Sequence, residues 1–77
     1  MDFPQYRKLD HWVYYRINNE RSFDEIRVVG STAFFHSIEA NQYPEIIRVQ
    51  EMLDLKMEHL TLSDESEFES IREAFGL

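Results

Sequence analysis

A chain of 77 residues with a formal charge of −7 has room for one hydrophobic core. At that size folding buries only about 60% of the surface the unfolded chain exposes. The absence of cysteine excludes disulfides and thiolate metal sites, and 43% hydrophobic with 14% aromatic residues excludes an acidic disordered chain. Self-association or docking to a partner is the device left to a small scaffold of this kind, so residues 1–77 read as a single small α+β domain that is an oligomer or a subunit.

The charge is unevenly placed. Residues 1–38 carry five Lys/Arg against five Asp/Glu, and residues 39–77 carry three against ten, while eight of the eleven aromatics fall in the neutral half. A neutral aromatic platform followed by acidic helices is the architecture this implies. At the start, Met1-Asp2-Phe3-Pro4-Gln5-Tyr6 has an acid where a signal peptide needs Lys or Arg, and no apolar segment follows. Nowhere do apolar residues run for the roughly 18 positions of a membrane span. The expectation is a cytoplasmic protein with no membrane contact.

The first strand signal is Trp12 to Ile17, rich in aromatic and β-branched residues and closed by the polar loop Asn18-Asn19-Glu20-Arg21. Ser22 to Val29 is two-sided: Ser22 and Glu25 have capping-box spacing, whereas Ile26, Val28 and Val29 favour a strand. Gly30-Ser31 decides for a strand, because Gly first suits a two-residue II′ hairpin turn into Thr32 to Ile38. That turn sets Val28 opposite Ala33 and Ile26 opposite Phe35. A four-residue loop at 18–21 sets Val13 opposite Ile26. One core face then holds Val13, Tyr15, Ile17, Ile26, Val28, Ala33 and Phe35. The opposite face holds Trp12, Tyr14, Arg16, Phe23, Arg27, Phe34, His36 and Ile38.

Pro44 and Glu45 suit the first turn of a helix, and Ile46, Val49, Leu53 and Met57, widened by Ile47 and Met52, give it an apolar stripe through about Lys56. Glu58 to Leu62 reads as a short strand. Asp64 and Glu67 have capping-box spacing ahead of Phe68, Ile71 and Phe75, with Gly76 in C-cap position. The expected fold is a three-stranded antiparallel β-meander, a helix, a short fourth strand and a C-terminal helix, β-β-β-α-β-α, with the helices packed on one face of the sheet.

Chemistry-bearing patterns are sparse. His11, His36 and His59 include no pair at ligand spacing and have no cysteine to support them. No serine sits in a nucleophile elbow, and two glycines cannot wrap a phosphate. Glu65, Glu67 and Glu69 read as a solvated helix face. No enzyme activity, cofactor, metal or small-molecule ligand is expected. Direct nucleic-acid binding is disfavoured, because −7 repels phosphate and no Lys/Arg-Gly-Phe run accompanies the sheet aromatics.

Trp12, Tyr14, Arg16, Arg27, Phe34 and His36 have the residue types of a protein-binding face, where Trp, Tyr, Phe and Arg are enriched. The leading expectation is a non-enzymatic interaction or oligomerisation module using that aromatic/Arg sheet face, its partner a protein or a second copy. The alternative is an acidic inhibitor of phage or mobile-element type, a nucleic-acid mimic whose carboxylates occupy a basic groove of its partner.

Overall fold

The computed structural model describes residues 2–77. Five strands and two helices follow one another as β1 (Gln5–Leu9), β2 (Val13–Asn19), β3 (Ser22–Val29), β4 (Thr32–Glu39), α1 (Tyr43–Leu53), β5 (Leu60–Leu62) and α2 (Glu65–Ala74). The strands form one antiparallel sheet in the order β4-β3-β2-β1-β5. The α+β class holds, and β3 is a strand along its whole length. An additional strand, β1, precedes the expected meander, so the order is β-β-β-β-α-β-α. Its Gln-Tyr-Arg-Lys-Leu sequence carries little strand propensity. It is a strand because β2 and β5 flank it on both sides.

The β3–β4 hairpin has the expected register, with Val28 opposite Ala33 and Ile26 opposite Phe35. Gly30 sits at φ 62°, and Ser31 is not among the residues of positive φ, the sign pattern of a II′ turn. The β2–β3 register differs from expectation by one residue. Val13 lies opposite Arg27, and Tyr14 opposite Ile26. The connection is the two-residue turn Glu20-Arg21, and a bulge between Ile17 and Asn19 takes up the remaining offset. Asn18 extends the strand because its side-chain amide donates to the Asp24 carboxylate at 3.0 Å, while Asn19 Oδ1 accepts the Arg21 N–H at 2.8 Å.

A one-residue slip exchanges the faces of every residue beyond it. Ile26, Val28, Ala33 and Phe35 therefore leave the expected core face and join Tyr14 and Tyr6 on the other side. Phe23 and Ile38 join Val13, Tyr15 and Ile17. Both faces of the sheet are now apolar and each requires a cover. Val49 and Met52 of α1 bury against Val13, Tyr15, Ile17, Phe23 and Leu60. On the reverse face Phe68 of α2 is fully buried with Tyr14 and Ile26, and Ile71 packs beside it. The helices thus lie on opposite faces of the sheet, not on one, and the fold has three layers.

Each helix is held by cations from the neutral half of the chain. The α1 C-terminus has no basic residue in its own last turn. Buried Arg7 of β1 supplies one, donating from Nε to the Met52 carbonyl at 3.0 Å and from Nη2 to the Leu53 carbonyl at 3.2 Å. Desolvation lowers the Arg7 pKa from its ordinary value. On the other face Lys8 pairs with Glu67 at 3.0 Å and Arg16 with Glu69 at 3.4 Å, and the Arg16 guanidinium lies 5.0 Å from the Phe68 ring centroid. Asp64 caps α2 by accepting the Glu67 N–H at 2.8 Å, and Gly76 ends it at φ 66° with the Leu77 N–H on the Arg72 carbonyl.

α1 ends at Leu53, three residues short of the expected Lys56. Lys56 N–H bonds the Glu51 carbonyl across Leu55, which takes φ 56°, a left-handed conformation that disfavours a branched side chain. Leu55 is an exposed residue, so Leu55→Gly is expected to stabilise the fold by about 1 kcal/mol, read as a higher urea midpoint. Phe68→Ala is expected to cost about 3–5 kcal/mol, because nothing else on α2 fills that position. Far-UV circular dichroism against urea concentration would measure both.

Candidate functional site

The register decides which of the singled-out residues lie together. Tyr14 and Arg16 sit on the α2 face and are covered: Tyr14 is buried, and the Arg16 side chain is held by Asp24 and Glu69. Arg27, Phe34 and His36 sit on the α1 face, where Arg27 pairs with Phe34 and Glu25 with His36 across β3 and β4. The expected single face carrying all six residues does not exist. The slip between β2 and β3 sends the β2 members and the β3–β4 members to opposite sides of the sheet.

The α1 face is only partly covered. Its Phe23–Ile38 end packs under the helix, and the end toward the Gly30-Ser31 turn does not. There Phe34 is 49% and Val29 56% exposed, with Arg27, Thr32 and His36 around them. Trp12 lies at the same end of the sheet, in the β1–β2 turn, and is 60% exposed; its carbonyl accepts the Val28 N–H at 2.7 Å. On the α1 face Phe34 and Val29 are therefore two large apolar side chains exposed at one corner of the sheet, where an isolated chain gains nothing from exposing them, whereas Trp12 lies opposite Val28, a residue of the α2 face.

Glu25 marks the inner boundary of this corner. Its carboxylate is buried in the sheet surface and approached by Arg27 Nε at 3.4 Å and Arg48 Nη2 at 3.6 Å. Arg48 reaches over from α1, donates to the Tyr15 hydroxyl at 3.4 Å and lies 5.9 Å from the Phe23 ring centroid. Two half-exposed guanidiniums against one carboxylate leave a local positive excess on a chain of net charge −7. Glu25, Val29 and Arg48 complete the corner and were not singled out from the sequence. The Gly30-Ser31 turn with period-two alternation was the signal that would have placed Glu25 and Val29 on the face of Phe34, whereas Arg48 reaches the site only through the tertiary path of α1.

The arrangement offers contact surface more than reaction chemistry. Glu25 is engaged by two arginines, and His36 is an exposed imidazole on the cross-strand neighbour. Among the described residues no cluster of three or more His, Cys, Asp or Glu stands close enough to hold a metal ion. Elsewhere, an open cleft of about 230 Å³ lies between Glu20, Gln50, Leu53 and Asp54, below the size of a typical small-molecule site. Among the described residues no helix is long and apolar enough to cross a membrane. The chain matches no family model, no curated protein and no solved structure.

Asp24 is the electrostatic centre of the covered side. Its carboxylate accepts from Arg16 Nη2 at 2.7 Å, Asn18 Nδ2 at 3.0 Å and Ser37 Oγ at 2.7 Å. Burial pushes its pKa up, but the hydrogen bonds from Asn18, Ser37 and Arg16 and the Arg16 charge outweigh that, and the pKa falls below the ordinary carboxylate value. A carboxyl whose folded pKa is depressed stabilises the fold above its unfolded pKa and loses that contribution as pH falls toward the folded one. Asp24→Asn is therefore expected to cost about 1–3 kcal/mol at neutral pH and progressively less as pH drops below about 4. Urea midpoints of both proteins measured across that range give the difference directly.

Proposed function

We propose that the chain is a non-enzymatic protein-interaction module that binds through the uncovered corner of the sheet, formed by Phe34, Val29, Arg27, His36 and Arg48. The observation that carries this reading is the exposure of Phe34 and Val29 on the face where the Arg27 and Arg48 guanidiniums share Glu25. Aromatic and arginine side chains together are the composition of interface centres, and they bury well because ring and guanidinium faces are only weakly hydrated. Tyr14 and Arg16 contribute to this module from the other side, by holding α2 in place.

The acidic-decoy alternative draws on the −7 charge, but two of the α2 carboxylates are already engaged: Glu67 by Lys8, and Glu69 by Arg16 and Arg72. That leaves fewer free charges in a row than imitation of a phosphate backbone requires. Salt separates the two readings. Binding through the aromatic corner holds nearly constant between about 0.05 and 0.5 M salt, whereas decoy binding to a basic groove weakens steeply.

Arg27→Ala and Phe34→Ala are each expected to change folding stability by less than about 1 kcal/mol, because both side chains are about half-exposed. Each is also expected to weaken the captured complex at least tenfold. Titration calorimetry with the captured partner and thermal melts of the free variants make the comparison. Unfolding of the free variants, or complexes of unchanged affinity, would sink this reading.

A further inference from the structure

We infer that the partner of this corner is a second copy of the chain, joined edge to edge through β4 so that two five-stranded sheets become one ten-stranded sheet about a two-fold axis. The inference rests on the interaction reading above and names its partner. β4 is one end of the sheet, pairs with β3 alone and is eight residues long. Natural sheets shield such an edge with Lys, Pro, a bulge or a short strand. β4 carries neither Lys nor Pro and has one charged residue, Glu39, at its end. Its register against β3 runs without a shift from Ser22–Glu39 to Val29–Thr32. The opposite edge, β5, is only three residues long.

The hairpin turn determines which backbone groups are free. In a two-residue hairpin the flanking pair, Val29 and Thr32, exchanges hydrogen bonds, and the alternation that follows directs Ala33, Phe35 and Ser37 away from β3. Their N–H and C=O groups form the outer edge. An antiparallel copy centred on Phe35 sets Phe35 against itself and Ala33 against Ser37 in both directions, for about six new backbone hydrogen bonds.

The side chains on that register are complementary. On the α1 face Phe34 meets His36 of the other copy twice, and the row across the junction runs Arg27, Phe34, His36, Glu25 through the two sheets. The neighbouring row runs in the opposite sense. Each row therefore ends in a guanidinium on one copy and a carboxylate on the other, and no like charges face one another. On the α2 face the two Phe35 rings meet, each already flanked by Arg72 with its guanidinium 5.6 Å from the ring centroid. The carboxylates of α2 that pair with Lys8 and Arg16 are engaged with strands β1 and β2, away from the junction. Phe34, exposed in the single chain, becomes an inner residue of the wider sheet.

The test is solution mass by sedimentation equilibrium with two sets of variants. The wild-type chain is expected at twice 9.3 kDa. Ala33→Pro removes an outward N–H that makes no bond to β3, so it is expected to keep the native circular dichroism spectrum and sediment at the single-chain mass. The double variant Phe34→Cys with His36→Cys creates directly opposed, closely spaced pairs in a chain without native cysteine, and is expected to form disulfide-linked dimers on mild oxidation. It reads the register even where Ala33→Pro fails to fold. A wild-type chain of single mass at high micromolar concentration overturns the inference. So does a dimer that shows no crosslink, or one that survives folded Ala33→Pro. A monomer that still captures another protein in a Phe34-dependent manner overturns self-pairing and leaves the interaction reading standing. A monomer with no Phe34-dependent partner removes both.

Discussion

The one-residue offset between β2 and β3 is the constraint on which the rest of this structure depends. Asn18 keeps β2 running by donating to Asp24, the Glu20-Arg21 turn follows, and a bulge between Ile17 and Asn19 absorbs the difference. The consequence is a sheet that is apolar on both sides. A sheet of that kind is stable in water only between two covers, and the chain has two helices to supply them. The buried Asp24 carboxylate is partnered on both oxygens by Arg16, Asn18 and Ser37, which is what allows a charged group to sit at the point where the register is set.

The charge asymmetry has a mechanical role in this arrangement. Arg7, Lys8 and Arg16, all from the neutral half, reach the two helices of the acidic half: Arg7 at the carbonyl end of α1, Lys8 and Arg16 at the carboxylates of α2. Arg7 is the least exposed of the three and the one whose partners are backbone carbonyls rather than carboxylates. A planar guanidinium can satisfy several of them at once, which an ammonium cannot do in a fixed geometry.

Coverage of the sheet is incomplete for a geometric reason. Five strands spaced about 4.8 Å apart span about 20 Å, and a helix with its side chains is about 10–12 Å across. α1 starts where β4 ends and finishes over β1, so it crosses the sheet and leaves the Gly30 corner of β3 and β4 open. The corner that results joins exposed Phe34 and Val29 to a long unpaired strand edge. A surface and an edge that each lack a partner, adjacent on one strand, carry the functional reading proposed for this chain.

Local chemistry was legible in the amino-acid order. The β3–β4 hairpin follows from Gly30-Ser31, the α1 start from Pro44 and Glu45, and the α2 limits from Asp64 and Gly76, because turns and caps are decided by conformational preferences of a few adjacent residues. Phe34, Arg27 and His36 were likewise identifiable as neighbours, since a tight turn transmits register without error. What the sequence could not decide was anything requiring a longer loop or a distant partner. Asn18 reads as a turn residue until Asp24 is folded against it, and Gln5–Leu9 has no strand signal until β2 and β5 flank it. The division of the six expected site residues between two faces, and the placement of the helices on opposite sides, both follow from that single offset. Side chains alternate with a period of two, so an error of one residue in a polar loop inverts every face beyond it, and only tertiary packing fixes that residue.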